Sequence, residues 1–344
     1  MDKIWIAMSG GVDSSGAALL IKQEYAHADG VTLTMLGTET DEQNVRDAAQ
    51  VCGKLGIGHT ALDCRQEFRS RVMQYFADSY DKGETPNPCV ICNREIKFGF
   101  LLDEAVKRGY DGVATGHYAR IFRDTNGHCL VRKAADVTKD QSYVLAMLTP
   151  EQLKHCVFPL GDYSKAEIRT LAAEHGFVTA HKSDSQDICF VPDGDYVHFL
   201  TGFTGRAPVP GEYVDETGKI LGPHRGYQCY TIGQRKGLGI ALGRHMFVLQ
   251  KDARTNRITL GDEPALFRTK VACSPFHHQT AAPLPDGLRC AVKLRYAHRE
   301  APARLWQTED GCVVEFDTAQ RAPTPGQFAV CYDGDLVLGA AVIR

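Results

Sequence analysis

The chain has 344 residues, enough for two or three domains at roughly 150 residues each. Hydrophobic residues make up 43% and charged residues 24%, which excludes a disordered chain, a collagen and a coiled-coil rod. The net charge of −3, from 39 basic and 42 acidic residues, gives no global sign of a nucleic-acid partner.

No run approaches the roughly 18 apolar residues that a membrane helix needs. The opening MDKIWIAMSGG reaches Gly and Asp too early for a signal peptide. The expectation is a soluble cytoplasmic enzyme with no membrane partner.

The first third alternates strand and helix. Lys3 to Met8 (KIWIAM) is a short apolar run that reads as a buried strand, and Val31 to Leu36 (VTLTML) as a second. Between them a Gly-rich turn leads into a helix through Ala17 to Ile21. Val45, Ala48, Ala49 and Cys52 share one helical face, and Phe68, Val72 and Phe76 another. Thr60 to Leu62 begins a third strand, and Asp111 to Thr115 is a further one. This rhythm predicts a parallel sheet covered by helices on both faces. Ser164 to Glu167 has the form of a capping box, opening a helix through Ile168 and Leu171 that Gly176 stops. From about Gly202 the texture changes to short strands between Gly/Pro turns, predicting two small all-β units. The expected domains are 1–200, a nucleotide-binding α/β domain of Rossmann-like type; 201–262, a β-rich connector; and 263–344, a β-barrel.

Ser9-Gly10-Gly11-Val12-Asp13-Ser14-Ser15 lies where the first strand hands over to the first helix. Two glycines let the backbone approach a phosphate, the serines add hydroxyls, and the helix N-terminus adds oriented N–H groups. Asp13 beside an anion makes sense if it holds Mg²⁺ or orients the loop. Neither the Walker pattern nor G-x-G-x-x-G is present. The alternative is an ordinary Gly-Gly turn with a helix cap. The stretch resembles the S-G-G-x-D-S loop of the adenine-nucleotide α-hydrolase (PP-loop) group, whose members cleave ATP to AMP and pyrophosphate.

Cys89 and Cys92 stand C-x-x-C within Thr85-Pro-Asn-Pro-Cys-Val-Ile-Cys-Asn93. Two prolines preclude a regular helix across Pro86 to Pro88, so the thiols are expected on a stiff arm before a helix starting near Arg94. There they should be acidified toward thiolate. A zinc half-site and plain buried thiols are the alternatives; zinc lacks a second ligand pair at suitable spacing. Cys189 lies in Ser183-Asp-Ser-Gln-Asp-Ile-Cys-Phe190, among polar and acidic residues. Between Arg225 and Arg257 stand seven Lys/Arg against one acid, Asp252. This is either an RNA-facing patch or a solvated face.

Seven strings then occur in order: SGGVDSS, TPNPCVICN, ATGHYAR, KDQSYVL, SDSQDICF, YTIGQRKGLGI and LRY. Together they resemble the bacterial tRNA-specific 2-thiouridylase family over nearly the whole chain. The resemblance implies ATP-dependent thiolation of C2 of the wobble uridine in tRNAs of Lys, Glu and Gln type. It implies an ATP site at Ala7, Met8, Ser9, Gly10, Gly11, Val12, Asp13 and Ser14, with Leu36 and Gly116 on the adenosine, and Mg²⁺ accompanying the nucleotide. Cys189 would carry a persulfide received from a sulfur-relay protein or cysteine desulfurase. Cys92 would be the nucleophile, with a Cys92–Cys189 disulfide formed in the cycle. His117, Lys139, Asp140, Gln141, Arg295, Tyr296 and Gln327 match tRNA contacts. Cys89 departs from relatives that carry Asp there, so an acid–base role does not transfer. The alternative is a [4Fe–4S] cluster on Cys89, Cys92 and Cys189. Two other functions stay open: a PP-loop amide-forming synthetase, and a non-enzymatic Fe–S or RNA-binding module.

Overall fold

A computed structural model describes residues 1–182, 188–241 and 243–344. Positions 183–187 of the SDSQDICF string lie outside the described residues.

The N-terminal sheet forms as its apolar pattern dictates. In β1 (Lys3–Ala7) Ile4, Trp5 and Ile6 are all buried, the signature of a strand covered on both faces. It feeds α1 (Val12–Glu24), then β2 (His27–Thr34), α2 (Glu39–Leu55), β3 (His59–Asp63) and, after a helical stretch, β4 (Gly112–Thr115). The order is β3-β2-β1-β4 with Cys156–Val157 at the far edge, and every pairing is parallel. The second strand starts earlier than its apolar run, because His27–Thr34 pairs through the polar His27 and Asp29. Thr38 caps α2 and Gly56 closes it at φ 67°, so polar ends fix its length. The α2 face is Ala48, Val51 and Cys52, with Ala49 exposed. The capping box over Ser164–Glu167 is formed in both directions.

The chain adds strands on one side of β1 and then returns to its other side with β4. The resulting crevice at the carboxyl ends of β1 and β4 is where an open α/β sheet takes a nucleotide.

The middle unit is a four-stranded sheet of Gly211–Val214, Ile220–His224, Phe247–Asp252 and Arg257–Gly261, around Tyr213, Tyr230, Val248 and Ile258. The C-terminal unit is antiparallel. Its ladder is not closed, but one bridge, Cys273 to Ile343, brings its first and last strands together. The hairpin Ala119–Arg123/Cys129–Lys133 from the first part of the chain joins this C-terminal sheet through Arg132 and Leu336. Phe328, Val330 and Tyr332 share a core with Trp5, Phe98, Val113 and Tyr143 of the first unit. At about 1.5–3 kcal/mol for each large apolar side chain buried, this shared core holds the C-terminal unit firmly on the first.

Candidate active site

The Gly-rich loop sits at the head of the crevice. Gly10 has φ +68°, and a Cβ there would lie 2.7 Å from Asn44 Cα, so only glycine fits. Gly11 is the N-cap of α1 and no side chain caps the helix, leaving its first N–H groups for an anion. Ser14 Oγ donates to Gly11 O (3.0 Å) and accepts from Ser9 N (3.1 Å), which curls the loop around the helix end. Gly116, after β4, presses on this turn: its Cβ would lie 2.8 Å from Asp13 C. Leu36 follows β2, where its N–H and that of Gly37 donate to the buried Asp41 carboxylate at 2.7 and 2.8 Å.

Asp13 accepts from Lys165 Nζ at both oxygens (2.7 and 2.6 Å) and from Tyr118 Oη at 2.8 Å. Of the two roles weighed for it, this fits orientation of the loop. Lys182 Nζ donates to Gly10 O at 2.9 Å and pairs with Asp47 at 2.5 Å, fixing the loop from the other side. Neither lysine was singled out by sequence. A lysine at the first turn of a helix and one in an irregular stretch carry no periodic signal.

The cysteine arm differs from the sequence expectation. The helix begins at Pro88, not near Arg94: Asn87 is the N-cap, its Oδ1 accepting from Cys89 N at 3.2 Å, and Pro88 occupies the first helical position. A proline there loses nothing, since its missing N–H would have had no helical partner. Cys89 and Cys92 therefore lie one turn apart on a helix. Cys92 is buried beside Cys64, Phe68, Phe76 and Ile96, in the same apolar cluster as Phe190. Phe190 stands edge-on to Phe68 and Phe76 at 5.7 and 5.2 Å, anchoring the segment that carries Cys189 against the one that carries Cys92.

The thiols are not acidified. Burial pushes Cys92 up to about 12 and Cys189 up to about 11, and raises Cys89. The Cys89 and Cys189 residues keep exposed surface, yet dense protein around the sulfurs outweighs the helix N-terminus. Lys97 opposes this at all three. Cys92 is raised further by Cys189 and Cys89, so both thiols lie within its electrostatic reach. All three are free thiols. Among the described residues, no three His, Cys, Asp or Glu side chains are grouped to hold a metal ion. The three cysteines therefore do not fit a preformed iron–sulfur site.

Of the remaining sequence candidates, Tyr296 and Lys139 are exposed, whereas His117, expected at the tRNA, is buried. Tyr296 is 42% exposed and its hydroxyl donates to Asp140 O at 3.3 Å. The Asp140 carboxylate accepts from Ala134 N and from the Ser142 hydroxyl, and Gln141 Oε1 accepts from Tyr118 N, so this turn is rigid. Lys139 is exposed beside it. Arg295 donates to Ala322 O at 2.7 Å. His117 is buried between Phe98 and Phe158, bonded to Thr115 Oγ1 at 2.7 Å, and burial holds it well below the usual histidine range. Gln327 bonds to the cysteine loop itself, at Thr85 O. In the basic stretch, Arg244 and Arg257 pair with Asp262 and Glu212, and Lys251 is turned inward over Tyr80. That leaves Arg225, Arg235, Lys236 and Arg254 as its exposed cations in no salt bridge among the described residues.

Comparison with known proteins follows this three-part layout. The tRNA methyl transferase HUP domain family matches residues 2–193, the tRNA methyl transferase PRC-barrel domain 197–262, and the aminomethyltransferase beta-barrel domain 268–343. A tRNA-specific 2-thiouridylase MnmA of Acetivibrio thermocellus is 43% identical to this chain, with 99% of each covered. That of Clostridioides difficile is 42% identical over 99% of this chain and 98% of its own. The chain belongs to the tRNA-specific 2-thiouridylase family.

A 2-thiouridylase of Lachnoclostridium phytofermentans, 41% identical, is likewise matched along 99% of its length. The domain descriptions speak of methyl transfer and the relatives of thiolation.

Proposed function

We propose that this chain is an ATP-dependent tRNA sulfurtransferase that thiolates C2 of the wobble uridine in tRNAs of Lys, Glu and Gln type. The observation that carries this reading is the packing of Cys92 with Phe190, the neighbour of Cys189, in one cluster that Leu33, Met35 and Leu36 at the carboxyl end of β2 also join. ATP binds at Ala7–Ser14, with its phosphates on the free N–H groups of α1 and its adenosine toward Leu36 and Gly116. Mg²⁺ enters with the nucleotide as part of the substrate. Uridine O2 attacks the α-phosphate and pyrophosphate leaves, so O2 becomes part of a good leaving group.

Cys189 carries the outer sulfur as a persulfide, delivered by a persulfide-bearing relay protein or cysteine desulfurase. Cys92 attacks Cys189 Sγ, a Cys92–Cys189 bond forms, and the outer sulfur departs with its electron pair as hydrosulfide. Hydrosulfide adds at C2, and AMP leaves. A dithiol reductant then returns two electrons to the disulfide. No step in this route uses a metal cluster. The exposed Tyr296, Lys139 and Arg235–Lys236 give the RNA a stacking ring and cations at the approach. Among the described residues no helix is long and apolar enough to cross a membrane.

The test measures pyrophosphate release and thiouridine formation with unmodified tRNA, ATP and a persulfide donor. Wild-type protein should release pyrophosphate only with such tRNA. Cys92→Ser should keep that release and lose thiouridine. Pyrophosphate release with small amines alone would return the chain to the amide-forming synthetases.

A further inference from the structure

One cation reaches the thiol site by a departure from regular helix geometry. The helix carrying Cys89 and Cys92 is α-helical from Pro88 to Cys92 and π-helical over Asn93–Phe100. In an α-helix, a side chain five positions on points about 140° away from the first, at 100° per residue. In a π-helix the turn is wider and closes with i→i+5 bonds, so a residue five positions on lies much closer to the side of the first than it does in an α-helix. Lys97 is five residues after Cys92. The wide turn brings onto the thiol side a lysine that a regular helix would aim elsewhere.

Two further observations give this placement a chemical meaning. Lys97 is half-buried between the buried Ile96 and Phe98, and among the described residues no acid or hydrogen-bond acceptor pairs with it. A half-buried, unpaired ammonium is costly, and is tolerated where an anion is to be met. Its charge is felt at Cys89, Cys92, Cys189 and His117, lowering each. The other groups acting on Cys92 are Cys189 and Cys89, and Cys64 lies behind it with Glu67, Asp63 and Asp41 beyond. Among the described residues, Lys97 is thus the cation whose charge reaches all three thiols.

We propose that Lys97 is the positioning counter-cation of sulfur transfer, its ammonium standing opposite the sulfur anion as Cys92 attacks the Cys189 persulfide. This rests on the function proposed above. The Cys92 Sγ–Cys189 Sγ bond forms, the bond to the outer sulfur breaks, and its electron pair leaves with that sulfur as hydrosulfide. Lys97 gives up no proton and remains charged throughout. In a site whose burial opposes every thiolate, a fixed positive charge offsets part of the desolvation cost.

The test uses the full chain with Lys97→Met and Lys97→Arg. The rate of alkylation of Cys92 by iodoacetamide is followed peptide by peptide from about pH 7 to about pH 10, without ATP or tRNA. Lys97→Met should slow it about tenfold near pH 8 and move its profile up by about one pH unit, while Lys97→Arg stays within about threefold of wild type. Thiouridine formation should follow the same order, with Lys97→Met partly recovered at higher pH. An unchanged Cys92 profile in Lys97→Met, or a Lys97→Arg protein no better than Lys97→Met, would overturn the proposal. A wild-type protein that makes no thiouridine would sink the sulfurtransferase reading instead, and the Cys92 profile would still decide the role of Lys97. Thermal unfolding of both variants near wild type separates a charge effect from misfolding.

Discussion

Gln327, at the start of a C-terminal strand, donates from Nε2 to Thr85 O at 2.7 Å, tying the last domain directly to the loop that holds Cys89 and Cys92. The contact is double, because Thr85 N donates to Pro325 O at 2.8 Å. Gly326 lies between the two, and a Cβ there would stand 2.9 Å from Glu84 Cβ. A tRNA held by the C-terminal unit is therefore held in register with the thiols.

Gln327→Ala should lower stability by about 1 kcal/mol, the usual net worth of one hydrogen bond. Thiouridine formation should fall more than affinity for ATP does. Gln327→Glu should be worse than Ala, since it sets a carboxylate against the Thr85 carbonyl. Thermal unfolding and a tRNA thiolation assay on both variants check this. Equal behaviour of the two would argue against the contact.

Phe190→Ala empties the centre of the aromatic cluster that joins the two thiol segments. The expected cost is about 3 kcal/mol, at the low end for a buried phenylalanine. On mild oxidation, formation of the Cys92–Cys189 disulfide should slow in step, as read by peptide mass spectrometry. Disulfide formation at the wild-type rate would show that Phe190 does not align the pair.

Gly10→Ala adds a methyl 2.7 Å from Asn44 Cα in a residue at φ +68°. The left-handed backbone alone costs about 1–2 kcal/mol, and the clash adds to it. Either the loop shifts or α2 moves away. ATP binding, measured by calorimetry, should fall at least about tenfold while the C-terminal sheet keeps its spectroscopic signature.

Acid should destabilise the fold through histidines held neutral. Burial, then Arg295 and Lys293, brings His298 down to about 4, and burial, then Lys97, takes His117 far below its usual range. The unfolded chain takes up protons near pH 6.5 and the folded one does not. Stability contributed above that pH is therefore lost as pH falls from about 6.5 toward about 4. His298→Gln should show a smaller drop in unfolding temperature between pH 7.5 and about pH 5 than wild type does.

Much of the site was legible in the residues because its chemistry is local. SGGVDSS needs only a strand before it and a helix after it to offer backbone N–H groups to a phosphate, and KIWIAM and the helix at Val12 provide both. The Cys89–Cys92 spacing is likewise a one-turn property. The helix start at Pro88 was missed because proline in the first turn reads as a breaker when its position in the helix is unknown. The thiol acidity was misjudged for a related reason: proximity to a helix N-terminus is visible in sequence, but the depth of burial that overrides it is not.

The residue order by itself determined the strand–helix rhythm, the phosphate loop and the two thiol segments, since each depends on neighbours within a few positions. Only the tertiary structure decided what those segments meet. Phe190 brings Cys189 to Cys92 across nearly a hundred residues. Lys165 occupies Asp13, and Gln327 reaches Thr85. The hairpin at Ala119–Lys133 abandons its own domain for the C-terminal sheet. Lys97 lies in a π-helical stretch, and its charge reaches the thiols. These are long-range contacts, chosen by packing and by the pairing of buried polar groups, and neither leaves a period or a spacing in the chain.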